Sequence, residues 1–229
     1  MDLKDFVPII GAGNVIYYGG DQSWFGTKVG RESGCGTVAA ANILAYLAIK
    51  NPGLRTLYCG KNLNNITKDD YIIHMNEVYK YVEPLKLPFI DMPAGGIPFM
   101  SWYSDGVIKY AKDKGVSLTA HWNKGSSTFD KAAQYIKDGL SRDYPIALVN
   151  WRNSKLKCVP WINPDTGITS NQDFQLHWVT ITGLHDYRPI GQVYIDVSSW
   201  GSKVTLRFDD VWNSADILRY VGMVYFEWK

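Results

Sequence analysis

Cys35 is the residue of this sequence best placed to act as a nucleophile. It stands in Ser33-Gly34-Cys35-Gly36, directly before the run Thr37 to Ile49, which is dense in Ala and Leu and holds no Gly or Pro. Such a run predicts a buried helix that stops ahead of Pro52-Gly53. A sulfur at the start of a helix lies in the positive end of the peptide dipole, which favours the thiolate, the attacking species. The flanking glycines let the backbone turn tightly and a substrate approach closely. The same setting also suits an inert small residue buried in a turn. Cys59, in a loop after Tyr58, and Cys158, beside Val159-Pro160-Trp161, lack these features and read as structural.

A thiol nucleophile needs a base. Of the four histidines, His74 falls in a helix amid charged neighbours and reads as a surface residue. His121 follows a short strand and reads as structural, and His185 falls in a turn. His177 opens the alternating run His177 to Gly183, where a strand would hold its ring in the fixed geometry a general base requires. A half-buried strand histidine with a backbone partner is the plainer reading. One hairpin later Asp196 lies between Ile195 and Val197. A carboxylate inside a strand asks for a partner, and this one is expected on the strand next to His177. Ser198 shares its face and is the alternative third member, without a charge to offer.

Order and spacing together resemble a known family. Asp21-Gln22-Ser23-Trp24 precedes Gly34-Cys35-Gly36 and its Ala-rich helix. A strand opening with His177 and ending at Gly183 follows, then Asp196 on the next strand and Ser198-Ser199-Trp200-Gly201. This pattern resembles the papain-like cysteine peptidases, most closely the small bacterial branch related to the bacteriocin leader peptidases (peptidase C39-like). The resemblance covers the cysteine helix and the C-terminal sheet. It implies a papain-like fold with Cys35 as nucleophile, His177 as general base and acid, and Asp196 as the orienting group. Gln22 and the Cys35 backbone N–H would form the oxyanion hole, and Trp200 would wall the histidine side. Gly36 departs from the family pattern, which has an aromatic residue there. Ser198 stands where papain has its Asn, which makes Asp196 the substitute.

The elements that must position these groups are read from periodicity. Helices are expected over Asp69 to Val82, Ser101 to Lys114 and Phe129 to Ser141. Strands are expected over Val116 to Trp122, Tyr144 to Trp151, Leu176 to Leu184, Gln192 to Val197, Lys203 to Phe208 and Val221 to Trp228, with a turn over His185 to Gly191. Residues 1–30, rich in Gly and aromatics, read as an irregular arm, and 91–98 as a loop. Helices followed by sequential strands predict an α+β fold with a mostly antiparallel sheet. The 229 residues read as one domain, with 51–100 as an insertion.

Composition narrows the function. A net charge of +2 without a basic cluster gives no nucleic-acid footprint, and no apolar run reaches the length of a membrane helix. Three scattered cysteines make neither a disulfide framework nor a zinc site, and the histidines are equally scattered. No metal and no cofactor are expected. The expected partner is a peptide or protein substrate, and the expected state is a monomer. The N-terminus does not read as a signal peptide, which leaves a cytoplasmic protein or a secreted one whose leader is removed. Two further activities fit the same residues: an acyltransferase of transglutaminase type, and a non-catalytic binding module in which Trp102, Trp122, Trp151 and Trp161 line a groove for peptides or glycans.

Overall fold

The computed structural model describes residues 1–124, 127–150, 156–188, 191–212 and 222–228. Ten strands are described. β1 (Pro8–Ile10) and β2 (Ile16–Tyr18) form one small hairpin, and β5 (Cys158–Ile162) and β6 (Thr169–Asp173) form another. The remainder are β3 (Leu118–Lys124), β4 (Ile146–Asn150), β7 (His177–Tyr187), β8 (Gln192–Ser199), β9 (Ser202–Arg207) and β10 (Gly222–Trp228). They make a six-stranded sheet in the order β3-β10-β4-β7-β8-β9, with every neighbouring pair antiparallel. The helices are α1 (Lys28–Ser33), α2 (Cys35–Lys50), α3 (Lys68–Tyr79), α4 (Met100–Asp113), α5 (Phe129–Ser141) and the short α6 (Phe208–Trp212). The α+β class and the largely antiparallel sheet are therefore as expected.

α2 sits at the centre. Every residue from Cys35 to Ala48 is buried. A helix that is apolar on all sides must be enclosed on all sides. β7 and β4 cover one side, and α3 and the turn Pro52–Leu57 cover others. Thr180 Oγ1 on β7 reaches Ala39 O at 3.4 Å, which ties the helix to the sheet. α5 has the bounds its amphipathic spacing predicts, and Thr128 caps it by accepting from Lys131 N.

Several expectations are corrected. Residues 1–30 are not irregular: they hold the β1–β2 hairpin, a turn of 3-10 helix at Gln22–Trp24 and α1. Gly34 interrupts the helix between α1 and α2 without a left-handed backbone. A Cβ there would meet Gly30 O at 2.3 Å and the Phe25 ring, so only glycine allows this approach. His185 is not in a turn, because β7 continues to Tyr187. The strand expected over Lys203 to Phe208 ends at Arg207, and Phe208 opens α6. Trp151 and Val221 lie outside the described residues.

His74 is not a surface residue. It is wholly buried, with Nε2 3.0 Å from Ala41 O and Nδ1 accepting from Cys59 N at 3.3 Å. Its segment is woven into the core around α2. Thr37 Oγ1 donates to Val82 O, and Tyr71 OH donates to Asn42 Oδ1. No helix among the described residues is long and apolar enough to cross a membrane.

Candidate active site

Cys35 is the first residue of α2 and His177 the first of β7. Packing α2 against β7 brings both to one slot of about 10 Å³, whose other walls include Gln22, Asn42, Ser199 and Trp200. That volume admits about one water-sized group. Gly36 lets Ile97 approach the start of α2 closely. A Cβ at Gly36 would meet Ile97 Cδ1 at 2.5 Å, and Ile97 O accepts from Trp178 Nε1 at 3.2 Å. The loop before α4 is held in place by Asp91, whose carboxylate caps α1 by accepting from Lys28 N and Val29 N.

The imidazole of His177 is fixed from two directions. Its Nε2 lies 2.7 Å from Ser199 Oγ, and its face stacks on Trp200 with centroids 4.4 Å apart and planes 11° from parallel. In the tautomer whose Nε2–H donates to Ser199, Nδ1 keeps its lone pair and is the ring atom able to take a proton. Trp200 has a φ of +49°, a left-handed value that a bulky aromatic rarely adopts. It and Gly201, at +70°, are the two central residues of the β8–β9 turn, as the paired Ser199 and Ser202 show. Two positive φ values suit a two-residue hairpin, but Asn or Gly is the usual occupant. The strained Trp is where the ring that backs the histidine sits.

Burial sets the protonation of both groups. It pushes the Cys35 thiol up, against backbone hydrogen bonds from Trp178, Gly36 and Cys35 itself that pull it down. It drives His177 down to about 3. Burial thus favours the neutral form of each group.

Asp196 is not the partner of His177. Its carboxylate accepts from Lys203 Nζ at 2.7 Å, His185 Nε2 at 2.8 Å and Thr205 Oγ1 at 2.6 Å. The strand is the expected one but the register differs. Asp196 pairs with Gly183, across a bulge between Ile181 and Gly183. Six residues separate Gly183 from His177, roughly 20 Å of strand. Burial raises the Asp196 carboxyl, and the bonds from Lys203, Thr205 and His185 outweigh it and hold the group below its usual range.

Ser198 is not the partner either. Its Oγ donates to Tyr18 O at 2.7 Å and accepts from Asn42 Nδ2 at 3.1 Å. The side chain bonded to the His177 ring is that of Ser199, which sequence reasoning passed over. Asn42 was also missed, although it is the only amide in an otherwise apolar helix, two turns after Cys35. Asn42 Oδ1 accepts from Gly20 N at 2.9 Å and Tyr71 OH at 2.6 Å, so one buried amide joins α2, α3, β8 and the segment before Gln22. Asn42→Ala strips partners from buried groups on three elements, and is expected to cost about 2 kcal/mol in urea unfolding.

Gln22 lines the slot as expected. Its Nε2 donates to Arg31 O at 2.8 Å, which leaves the second N–H of that nitrogen free. Its Oε1 is buried without a partner. Among the described residues, Asp2, His185 and Asp196 bring ligand atoms within 4.8 Å of one another, as a metal site would. The Lys203 ammonium already supplies the positive charge there. No protein-family model matches the chain, and no curated protein matches it.

Proposed function

We propose that this chain is a papain-like thiol peptidase that cleaves amide bonds through an acyl-enzyme on Cys35. One observation carries the reading: a helix-start cysteine and a strand-start histidine share one slot, and the histidine is fixed by Ser199 Oγ at Nε2 and by Trp200 on its face.

The chemistry follows from the neutral pair. His177 Nδ1 takes the Cys35 proton as the sulfur attacks the carbonyl carbon, which forms the C–S bond and an oxyanion. The Cys35 N–H and the spare N–H of Gln22 Nε2 donate to that oxyanion. The imidazolium, with Ser199 on Nε2, returns the proton to the leaving amine as the C–N bond breaks. Water then attacks the thioester, gives its proton to His177, and releases the acid and the free thiol.

The test is digestion of a proteome-derived peptide library in ¹⁸O-labelled water, with wild type, Cys35→Ala and His177→Ala side by side. The wild type is expected to yield new carboxyl termini carrying the label, and both variants none. Identical termini from all three, or no new termini from any, would sink the reading.

A further inference from the structure

Asn150 is the direct cross-strand neighbour of His177. It ends β4 as His177 opens β7, and the register sets the two opposite one another. Opposed residues of an antiparallel pair project from one face, with Cβ atoms about 5 Å apart. Asn150 is wholly buried, and its Nδ2 turns to the segment that leads into His177. It donates to Phe174 O at 2.6 Å and to Leu156 O at 3.4 Å. Its Oδ1 is buried with no partner. A buried acceptor left unpaired destabilises a fold, and such groups are rare. Asn150 is therefore a poor residue for filling a core, and its use lies in Nδ2.

What Nδ2 holds is a strained connection. Leu176, between Phe174 and His177, has a φ of +54°, a left-handed value that a branched apolar residue rarely adopts. Such a conformation persists only where its surroundings enforce it, and these conformations cluster at functional sites. The same connection carries Phe174, whose ring stands edge-on to the imidazole, with centroids 5.5 Å apart and planes at 67°. It also stands edge-on to Trp200, at 6.3 Å and 73°. Phe174 N donates to Lys157 O at 2.7 Å, so both backbone groups of Phe174 are tied. The Asn150 tie is the one that runs to the strand beside His177.

We infer that Asn150 is a positioning residue for His177: its Nδ2 bond to Phe174 O holds the left-handed turn at Leu176 and, through it, the Phe174 ring against the imidazole. The imidazole is thereby kept in one orientation before any substrate arrives. That the ring so held acts as a base rests on the peptidase reading. That Asn150 orients it does not.

The experiment reads the His177 imidazole directly, by long-range ¹H–¹⁵N correlation NMR at neutral pH. His74, buried against α2 and bonded at both ring nitrogens, is the internal control. His177→Gln and His74→Gln assign the two signals. Wild type is expected to show His177 in one tautomer. Asn150→Ala should blend the two tautomers at His177 and leave His74 unmoved. Leu176→Gly added to Asn150→Ala should restore the single tautomer, because glycine keeps a positive φ without being held there. Phe174→Leu keeps the carbonyl that Asn150 binds and should blend the tautomers by itself. It also serves as the test should Asn150→Ala fail to fold. On a library peptide that wild type cleaves, turnover per folded Asn150→Ala molecule should fall about 10-fold with KM within about 2-fold, and Leu176→Gly should recover it. A single His177 tautomer in both Asn150→Ala and Phe174→Leu overturns the inference. So does a tautomer mixture already present in wild type, a change at His74 equal to that at His177, or an Asn150→Ala defect that Leu176→Gly leaves untouched. Blended tautomers in Asn150→Ala, alongside a wild type that cleaves no peptide, leave Asn150 in its role and remove the catalytic reading alone.

Discussion

Asp196→Asn should cost about 3 kcal/mol of stability and leave turnover per folded molecule unchanged, while Ser199→Ala should do the reverse. Asp196 is 2% exposed and pairs with Lys203, His185 and Thr205. Removing one charge from a buried pair costs about 3–5 kcal/mol. Lys203 and His185 keep part of their surface in water, which places the expected loss at the lower end. Position 196 is remote from His177 along the sheet, so nothing in the site moves. Ser199→Ala deletes one hydroxyl and frees Nε2 of the ring. The imidazole then turns on Trp200, and turnover falls on the order of 10-fold, the effect of one lost hydrogen bond of about 1.5 kcal/mol. Urea midpoints and turnover corrected for folded fraction read both arms. A silent Ser199→Ala together with an inactive but stable Asp196→Asn would restore Asp196 as the third member.

The sequence displayed some of this plainly and hid the rest for identifiable reasons. α2 was legible because its composition leaves no other outcome, and that placed Cys35 at a helix start. α5 was legible because Thr128 caps a clean amphipathic stripe. The alternation of β7 and β8 showed that the two strands pair, but alternation repeats every two residues and is silent on register. Register here depends on a bulge at Ile181/Gly183, so Asp196 and Ser199 could not be ranked as partners of His177. The β5–β6 hairpin escaped because Thr169–Asp173 is wholly polar and its burial alternates only between half-buried and exposed. With it went Gln172 and the strand placement of Trp161, which the sequence offered only as one of four groove tryptophans. His74 carried a usable signal, since it lies three residues from Tyr71 and four from Val78, on the buried stripe of α3. The charged first turn, Lys68-Asp69-Asp70, obscured it.

That buried histidine joins His177 in setting how the protein responds to acid. Between pH 7 and pH 4.5 the chain is expected to lose on the order of 5 kcal/mol of stability, with a slope near pH 5 of about 2.7 kcal/mol per pH unit. Burial drives His74 to about 4 and His177 to about 3, from an ordinary value of 6.5. Both folded values lie below the unfolded one, so the unfolded chain binds two protons that the folded chain refuses. Stability is therefore complete above pH 6.5, and it drains away as the pH falls through 6.5 toward the folded values. The carboxylates that the fold holds below their usual range, Asp70, Glu77, Asp91, Asp186 and Asp196, act mainly at still lower pH. Urea titrations at a series of pH values measure the slope, and His177→Gln should halve it. A flat profile between pH 6.5 and 4.5 would show that neither ring is held neutral. Turnover per folded molecule obeys a different rule, because His177 needs only a free Nδ1 to act as base. Burial keeps that lone pair available through the whole range, so acid should empty the folded population without slowing the molecules that remain.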